Sequence, residues 1–287
     1  MLAQVLVGGL AAGCVYGLVA LSFVLIYKAT RSVSFMQGEL LMLGAFSAVV
    51  LVEALGWPLW AAAPAAVGLL FGLGLALERA VLRRAIGQTH LTPVLMTFGL
   101  GLMIRGAVTG VPQATHRMHR LQLPWEQPIA LGPVQLAPEH LLVILATVAA
   151  CGALALFFRH SRAGLALRAC SEDAGVAAIL GVSPSAMHAL AWGMGAALAA
   201  FAGVLLAPVT FVEPGMGVVA LKAFPAAVIG GLASLPGAVL GGLFVGLSEA
   251  LAGRYLPDGV KDLTAYALML GVLLLFPRGL GEAGRPR

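Results

Sequence analysis

Uncharged apolar runs recur along this sequence, several of them long enough to cross a bilayer, and they constrain the fold more than any other feature. They cover residues 1–27, 40–52, 54–77, 85–104, 141–158, 174–212, 223–248 and 263–277. A helix rising 1.5 Å per residue needs about 20 apolar residues to span the hydrocarbon core. The chain is 60% hydrophobic and 10% charged, with a mean hydropathy of +0.99, whereas soluble domains carry about 25% charged residues. A soluble fold of 287 residues could not cover so much apolar surface, so lipid must be the solvent. The expected class is an all-α integral membrane protein: one polytopic bundle over 1–287 with about eight or nine crossings, some broken or re-entrant. The run 223–248 is interrupted at Gly230-Gly231 and Pro236-Gly237, which predicts two short segments.

Topology follows from the basic residues. Lys28 is the first positive charge, too far along for a signal-peptide n-region. The first run is therefore expected to be a transmembrane helix with its amino end outside. Nine alternating crossings gather Lys28, Arg31, Arg79, Arg83, Arg84, Arg159, Arg162, Arg168, Arg278, Arg285 and Arg287 on one side, most of the 17 Lys and Arg. That side is read as cytoplasmic, with the carboxyl terminus there and the 112–139 connection outside. The net charge of +5 is scattered in small groups, so nucleic acid is not expected as a partner. Cys14, Cys151 and Cys170 form neither a disulfide framework nor a metal-ligand spacing. No metal and no cofactor is expected.

Small residues four apart recur at Gly9/Gly13/Gly17, Gly68/Gly72, Gly106/Gly110 and Gly242/Gly246, a pattern that lets helix backbones approach closely in lipid. Charges inside apolar runs each need a reason. Glu53, beside Trp57, and Glu249, followed by Arg254, read as interfacial. Glu39 and Lys222 flank interrupted segments, the best sequence pointer to a solute path. They also suit a structural role, bonding freed backbone groups, and both readings stay open. The alternating topology sets Glu39 toward the cytoplasmic face and Lys222 toward the outer face, which argues against their pairing with each other.

The 159–184 loop carries the clearest local signals. Ser171 is expected to cap a short helix with Glu172 and Asp173 in its first turn. Val176, Ala177 and Leu180 share a face, and Gly181 supplies the stop. Ser183-Pro184 starts the next helix. A short helix outside the membrane, between two crossings, is either an interfacial helix lying on lipid or a docking knob for a cytoplasmic protein.

Taken in order, these elements resemble the permease subunits of branched-chain amino-acid ABC importers of the LivH type. The resemblance is carried by Tyr16-Gly17-Leu18-Val19-Ala20; by Ser34-Phe35-Met36-Gln37-Gly38-Glu39 and then Met42-Leu43-Gly44-Ala45-Phe46; and by Arg168-Ala169 through Asp173, Ala177, Ala178 and Leu180-Gly181-Val182. Leu221-Lys222-Ala223-Phe224, Gly230-Gly231, Pro236-Gly237-Ala238, Gly241-Gly242 and Gly246 to Glu249 complete it. Ser34 and Met36 depart from the Asn and the small residue usual there, which leaves the solute open. The resemblance implies a second permease subunit (a heterodimer is expected), two cytoplasmic ATPase subunits and an extracytoplasmic solute-binding protein, all at the plasma (cell inner) membrane. It marks Arg168, Ser171, Glu172, Asp173, Ala177, Leu180 and Gly181 for coupling to the ATPase. Phe35, Gln37, Gly38, Glu39, Lys222, Phe224, Gly230 and Gly231 are marked as a translocation path.

None of the three lysines closes a Gly-x-x-x-x-Gly-Lys loop, so no phosphate cradle is encoded and ATP hydrolysis is expected in separate subunits. No catalytic residue is assigned. His-Glu-x-x-His, Gly-x-Ser-x-Gly and paired intramembrane aspartates are absent from the sequence; His116, His119, His140 and His160 fall in expected loops, and His90 and His188 near helix ends. A permease for urea or short amides remains an alternative. So does a stand-alone ion-coupled carrier, for which Glu39 is the one deep candidate.

Overall fold

The computed structural model describes residues 2–85, 88, 91–111, 119–121, 129–131, 134–257, 259–276 and 279–280. His90, His116, Arg278, Arg285 and Arg287, and most of the expected 112–139 loop, lie outside these residues. Helix α1 (Leu2–Thr30) is the axis of the bundle and is almost wholly enclosed by the rest of the protein. Its small residues allow that enclosure. Gly9, Gly13 and Gly17 run antiparallel along α10 (Leu235–Tyr255), meeting Ala250 and Gly246, then Leu243 and Gly242, then Val239. A Cβ at Gly13 would lie 2.9 Å from the Cα of Leu243, so only glycine permits this seam. A Cβ added at Gly68, Gly72 or Gly106, by contrast, would meet no packing partner within 4 Å among the described residues.

After Arg31, at positive φ, the chain runs without helix to Met36 and re-enters as α2 (Gln37–Val49). This helix loosens into a π turn at Val50–Ala54, and the two together make one 18-residue apolar span. Helix α3 (Leu59–Ala80), with Pro64 tolerated near its start, and α4 (Leu91–Thr109) follow. A short hairpin of β1 (Ile129–Leu131) and β2 (Val134–Leu136) precedes α5 (Pro138–His160). Two small helices, α6 (Arg162–Glu172) and α7 (Ala174–Ile179), then lead to α8 (Pro184–Leu206).

Helix α8 is the second enclosed helix. Gly44 of α2 packs on Ala200, the Leu41 carbonyl occupies the place a side chain at Gly203 would take, and Gly74 of α3 lies against Trp192 and Gly193. The 13-residue α9 (Val218–Gly230) ends at Gly231, whose φ of 89° favours glycine. Ser234 then caps α10, its hydroxyl accepting from the Gly237 N–H at 3.1 Å. The break predicted at the Gly and Pro pairs is here, but its second half is a full 21-residue helix, because Glu249 sits inside α10 rather than ending it. The 16-residue α11 (Val260–Leu275) closes the described bundle.

Seven helices are long and apolar enough to cross a membrane, and α9 and α11 are shorter companions among the described residues. Helices α4 and α5 are peripheral, with Leu95, Phe98, Met103, Leu145 and Val148 exposed. In water such a face would be a defect; in lipid it is ordinary surface. This is a multi-pass membrane protein.

Candidate functional site

Three polar constructions interrupt the apolar bundle. The first surrounds the start of α2. Along one face of α4, at spacings of four, Thr97, Gly101 and Arg105 meet the segment from Phe35 to Glu39. The Phe35 N–H donates to Thr97 Oγ1 at 3.2 Å. Gly101 lets the Glu39 side chain lie flat, since a Cβ there would be 3.4 Å from Glu39 Cγ. Arg105 Nε is 3.4 Å from Glu39 Oε1, and its Nη2 donates to the Pro214 carbonyl at 3.3 Å. On the other side Gly38 presses on Gly217, the residue before α9, with no room for a side chain at Gly38 and only tight room for one at Gly217. Phe35 is exposed, its ring 6.4 Å from that of Phe224, which in turn meets Phe23 at 5.8 Å. Gln37 is fully buried, and neither end of its amide has a partner among the described residues.

The second construction is a charge network across four helices. Lys222 Nζ of α9 donates to Glu249 Oε1 of α10 and to Asp262 Oδ1 of α11, each at 2.6 Å. The Tyr16 hydroxyl of α1 donates to Glu249 Oε2, also at 2.6 Å. Glu249 is therefore buried, not interfacial: the Lys222 charge and the phenol replace the water it gives up. Glu53 is half exposed and pairs with His119 at 2.7 Å. Glu39 and Lys222 do not pair with each other, as expected, because each has its own counter-ion. They are not set at opposite faces, however. The unwound 31–36 stretch carries the start of α2 back against the approach to α9, so Glu39 lies beside Gly217, only a turn and a half of chain from Lys222. Gly230 and Gly231 are absorbed by the turn into α10, Gly230 lying against Gly237.

The third construction is the α6–α7 pair. Ser161 caps α6, accepting from the Gly164 N–H at 2.8 Å, and Gly164 packs on the backbone of Phe157 and Phe158. Arg168 lies over the Phe158 ring, 5.9 Å from its centre. Ser171 is not a cap. It ends α6 with its hydroxyl on the Arg168 carbonyl (2.7 Å), while its own carbonyl accepts from Arg31 (3.2 Å). The cap of α7 is Asp173, whose Oδ1 accepts from the N–H groups of Gly175 and Val176 at 2.8 and 3.0 Å. Ser171 and Glu172 thus close one helix, and Asp173 opens the next. An aspartate two residues before a glycine was the sequence signal for this, since its carboxylate reaches both amides of the first turn.

Gly181, at a φ of 87°, stops α7 as expected, and the Val182 N–H returns to the Ala177 carbonyl at 3.0 Å. The expected shared face divides: Ala177 points inward and is buried, while Val176, Ile179 and Leu180 form an exposed apolar tip. Burial pushes the Cys170 thiol above its ordinary value. His140 and His160 lie in the end turns of α5 rather than in loops. Sequence reasoning missed Arg105, Thr97 and Asp262. Arg105 directly follows an uncharged run and Asp262 directly precedes one, so both look like run boundaries until the helices pack.

Comparisons with known proteins agree over almost the entire chain. The family described as branched-chain amino acid transport system / permease component matches residues 5–276. The high-affinity branched-chain amino acid transport system permease protein BraD of Pseudomonas aeruginosa is 34% identical over 99% of this chain and 96% of its own length. The permease protein LivH of the corresponding Escherichia coli K12 system is 32% identical with the same coverage. Among solved structures, PsaBC from Streptococcus pneumoniae in complex with Fab aligns with a TM-score of 0.52 at 16% identity, covering 96% of this chain and 92% of that one, a likeness of fold alone. The chain belongs to the family of branched-chain amino acid transport system permease components.

Proposed function

We propose that this chain is the membrane-spanning permease subunit of an ATP-driven importer that carries branched-chain amino acids across the cell inner membrane. The observation that carries the reading is the match to permease proteins of branched-chain amino-acid systems along nearly the full length of both partners. In this reading the amino terminus is outside and the carboxyl terminus cytoplasmic. A second permease subunit completes the pore, two cytoplasmic ATPase subunits supply the force, and an extracytoplasmic binding protein delivers the solute.

The α6–α7 pair receives the ATPase, and its fixed ends support that role. Asp173 and Gly181 pin the start and stop of α7, so the exposed tip of Val176, Ile179 and Leu180 moves as a solid piece. Arg31 links Ser171 to the end of α1, giving displacement of the knob a route to the enclosed axis. Phe35, Gln37, Gly38, Glu39, Lys222 and Phe224 border the path, and Gly230 and Gly231 set the turn that closes α9.

The test is reconstitution of the four kinds of subunit in proteoliposomes with leucine, isoleucine and valine. Concentrative uptake is expected only with ATP and the binding protein present. Gradient-driven uptake by this chain alone would replace the reading with that of a secondary carrier.

A further inference from the structure

The two membrane charge clusters differ in one respect that separates a fixed latch from a place where a ligand can sit. In the Lys222 network both oxygens of Glu249 are bonded and the ammonium has two acceptors, all at 2.6 Å. Around Glu39 the opposite holds. Among the described residues seven buried side-chain polar atoms lack a hydrogen bond, and four of them are on Gln37, Glu39 and Arg105. The Glu39–Arg105 approach, at 3.4 Å, is an ion pair without a formed hydrogen bond, well beyond the 2.7–2.9 Å usual for charge-assisted bonds. Buried polar atoms without partners are rare in native proteins and call for an unseen partner. One flank of the cluster is open: the Arg105 side chain is 40% exposed and Phe35 is exposed beside Phe224.

We propose that the Glu39–Arg105 pair is a station for the zwitterionic head of an amino acid, each residue standing in for one half of the substrate while the site is empty. This rests on the permease reading and names the chemistry recognised inside it. On entry the substrate ammonium takes Glu39 and the substrate carboxylate takes Arg105, so one loose ion pair becomes two and no net charge enters the membrane. Phe35 and Phe224 offer an apolar wall for an aliphatic side chain. Gly101 and Gly217 place no side chain against Glu39: a Cβ at Gly101 would come to 3.4 Å from its Cγ, and one at Gly217 to 3.3 Å from its Oε1. A solute lacking either charge leaves one of the pair unpaired, and such a loss is heavily penalised in a desolvated site.

The experiment uses the assembled importer in nanodiscs without the binding protein, and follows displacement of radiolabelled leucine. The competitors are leucine, isoamylamine (no carboxylate) and isocaproate (no amine). Wild type is expected to bind leucine at least about tenfold better than either analogue. Glu39→Gln should abolish the preference over isocaproate but keep that over isoamylamine, and Arg105→Gln should do the reverse. Gly217→Ala, which crowds the carboxylate with no change of charge, should weaken leucine displacement, whereas Gly68→Ala should not. Equal ranking of the three solutes by wild type, or weakening of all three in proportion by the charge variants, would overturn the proposal and leave the pair as a structural tie. ATP-driven leucine uptake, measured in parallel with the binding protein, separates the two levels: its loss in wild type sinks the permease reading, while intact uptake without discrimination sinks only the station.

Discussion

Acidic residues in this protein are decided by their neighbours rather than by their place in the sequence. Asp173 forms no ion pair among the described residues and spends both bonds of one oxygen on the first turn of α7. Asp173→Ala is expected to cost about 1 kcal/mol of local helix stability and, with Asp173→Lys, to lower transport coupled to ATP while leaving the protein in the membrane; unchanged uptake in both would remove α7 from the mechanism. Glu249 has three claims on it, from Tyr16, Lys222 and the low-dielectric surroundings. Lys222→Met, which strands a buried carboxylate, is expected to cost about 3–5 kcal/mol. The double variant Lys222→Met/Glu249→Gln should recover much of that loss, as read by thermal unfolding in detergent. Burial raises the Cys170 thiol pKa above its ordinary value, so its alkylation should be slow at neutral pH and speed up only in alkaline solution. A cysteine placed at exposed Ile179 should label rapidly under the same conditions, with mass spectrometry reporting both sites.

Elements were more legible in the sequence than their partners. The uncharged runs anticipate the long helices because length and apolarity alone determine a crossing, and the Gly-Gly and Pro-Gly pairs anticipate the α9–α10 turn through backbone freedom. What the runs cannot show is which charge at the edge of one run meets which at the edge of another. Arg105 finds Glu39, and Lys222 finds Asp262, only after the bundle is packed. The small-residue stripes were equally ambiguous. Gly9, Gly13, Gly17, Gly242 and Gly246 form one seam, whereas a side chain added at Gly68, Gly72 or Gly106 would meet nothing within 4 Å among the described residues. Gly13→Leu should therefore prevent recovery of folded protein from the membrane, and Gly72→Leu should be tolerated by the isolated chain; size-exclusion profiles of the two variants check the contrast. The Asp173 cap was misplaced by two residues because Ser, Glu and Asp in a row offer competing capping geometries, and only the backbone at Asp173, extended at φ −149°, selects among them.

At the scale of the whole molecule, the two membrane charge clusters are built against an axis that the chain encloses. Purified alone, it is expected to show neither ATP hydrolysis nor uptake against a gradient, as measured in liposomes with a coupled phosphate assay. The enclosed axis has a further consequence, for how the protein is made. Tyr16 and Glu249 are 233 positions apart, and their helices share the glycine seam. At about 5–20 residues per second a ribosome needs roughly ten to fifty seconds to supply the second half of that contact. During this interval the first helix must wait in the bilayer with its narrow edge bare, so the step that completes the protein comes after translation is nearly finished. A nascent chain stalled before residue 235 would present that edge to the membrane's quality-control proteases.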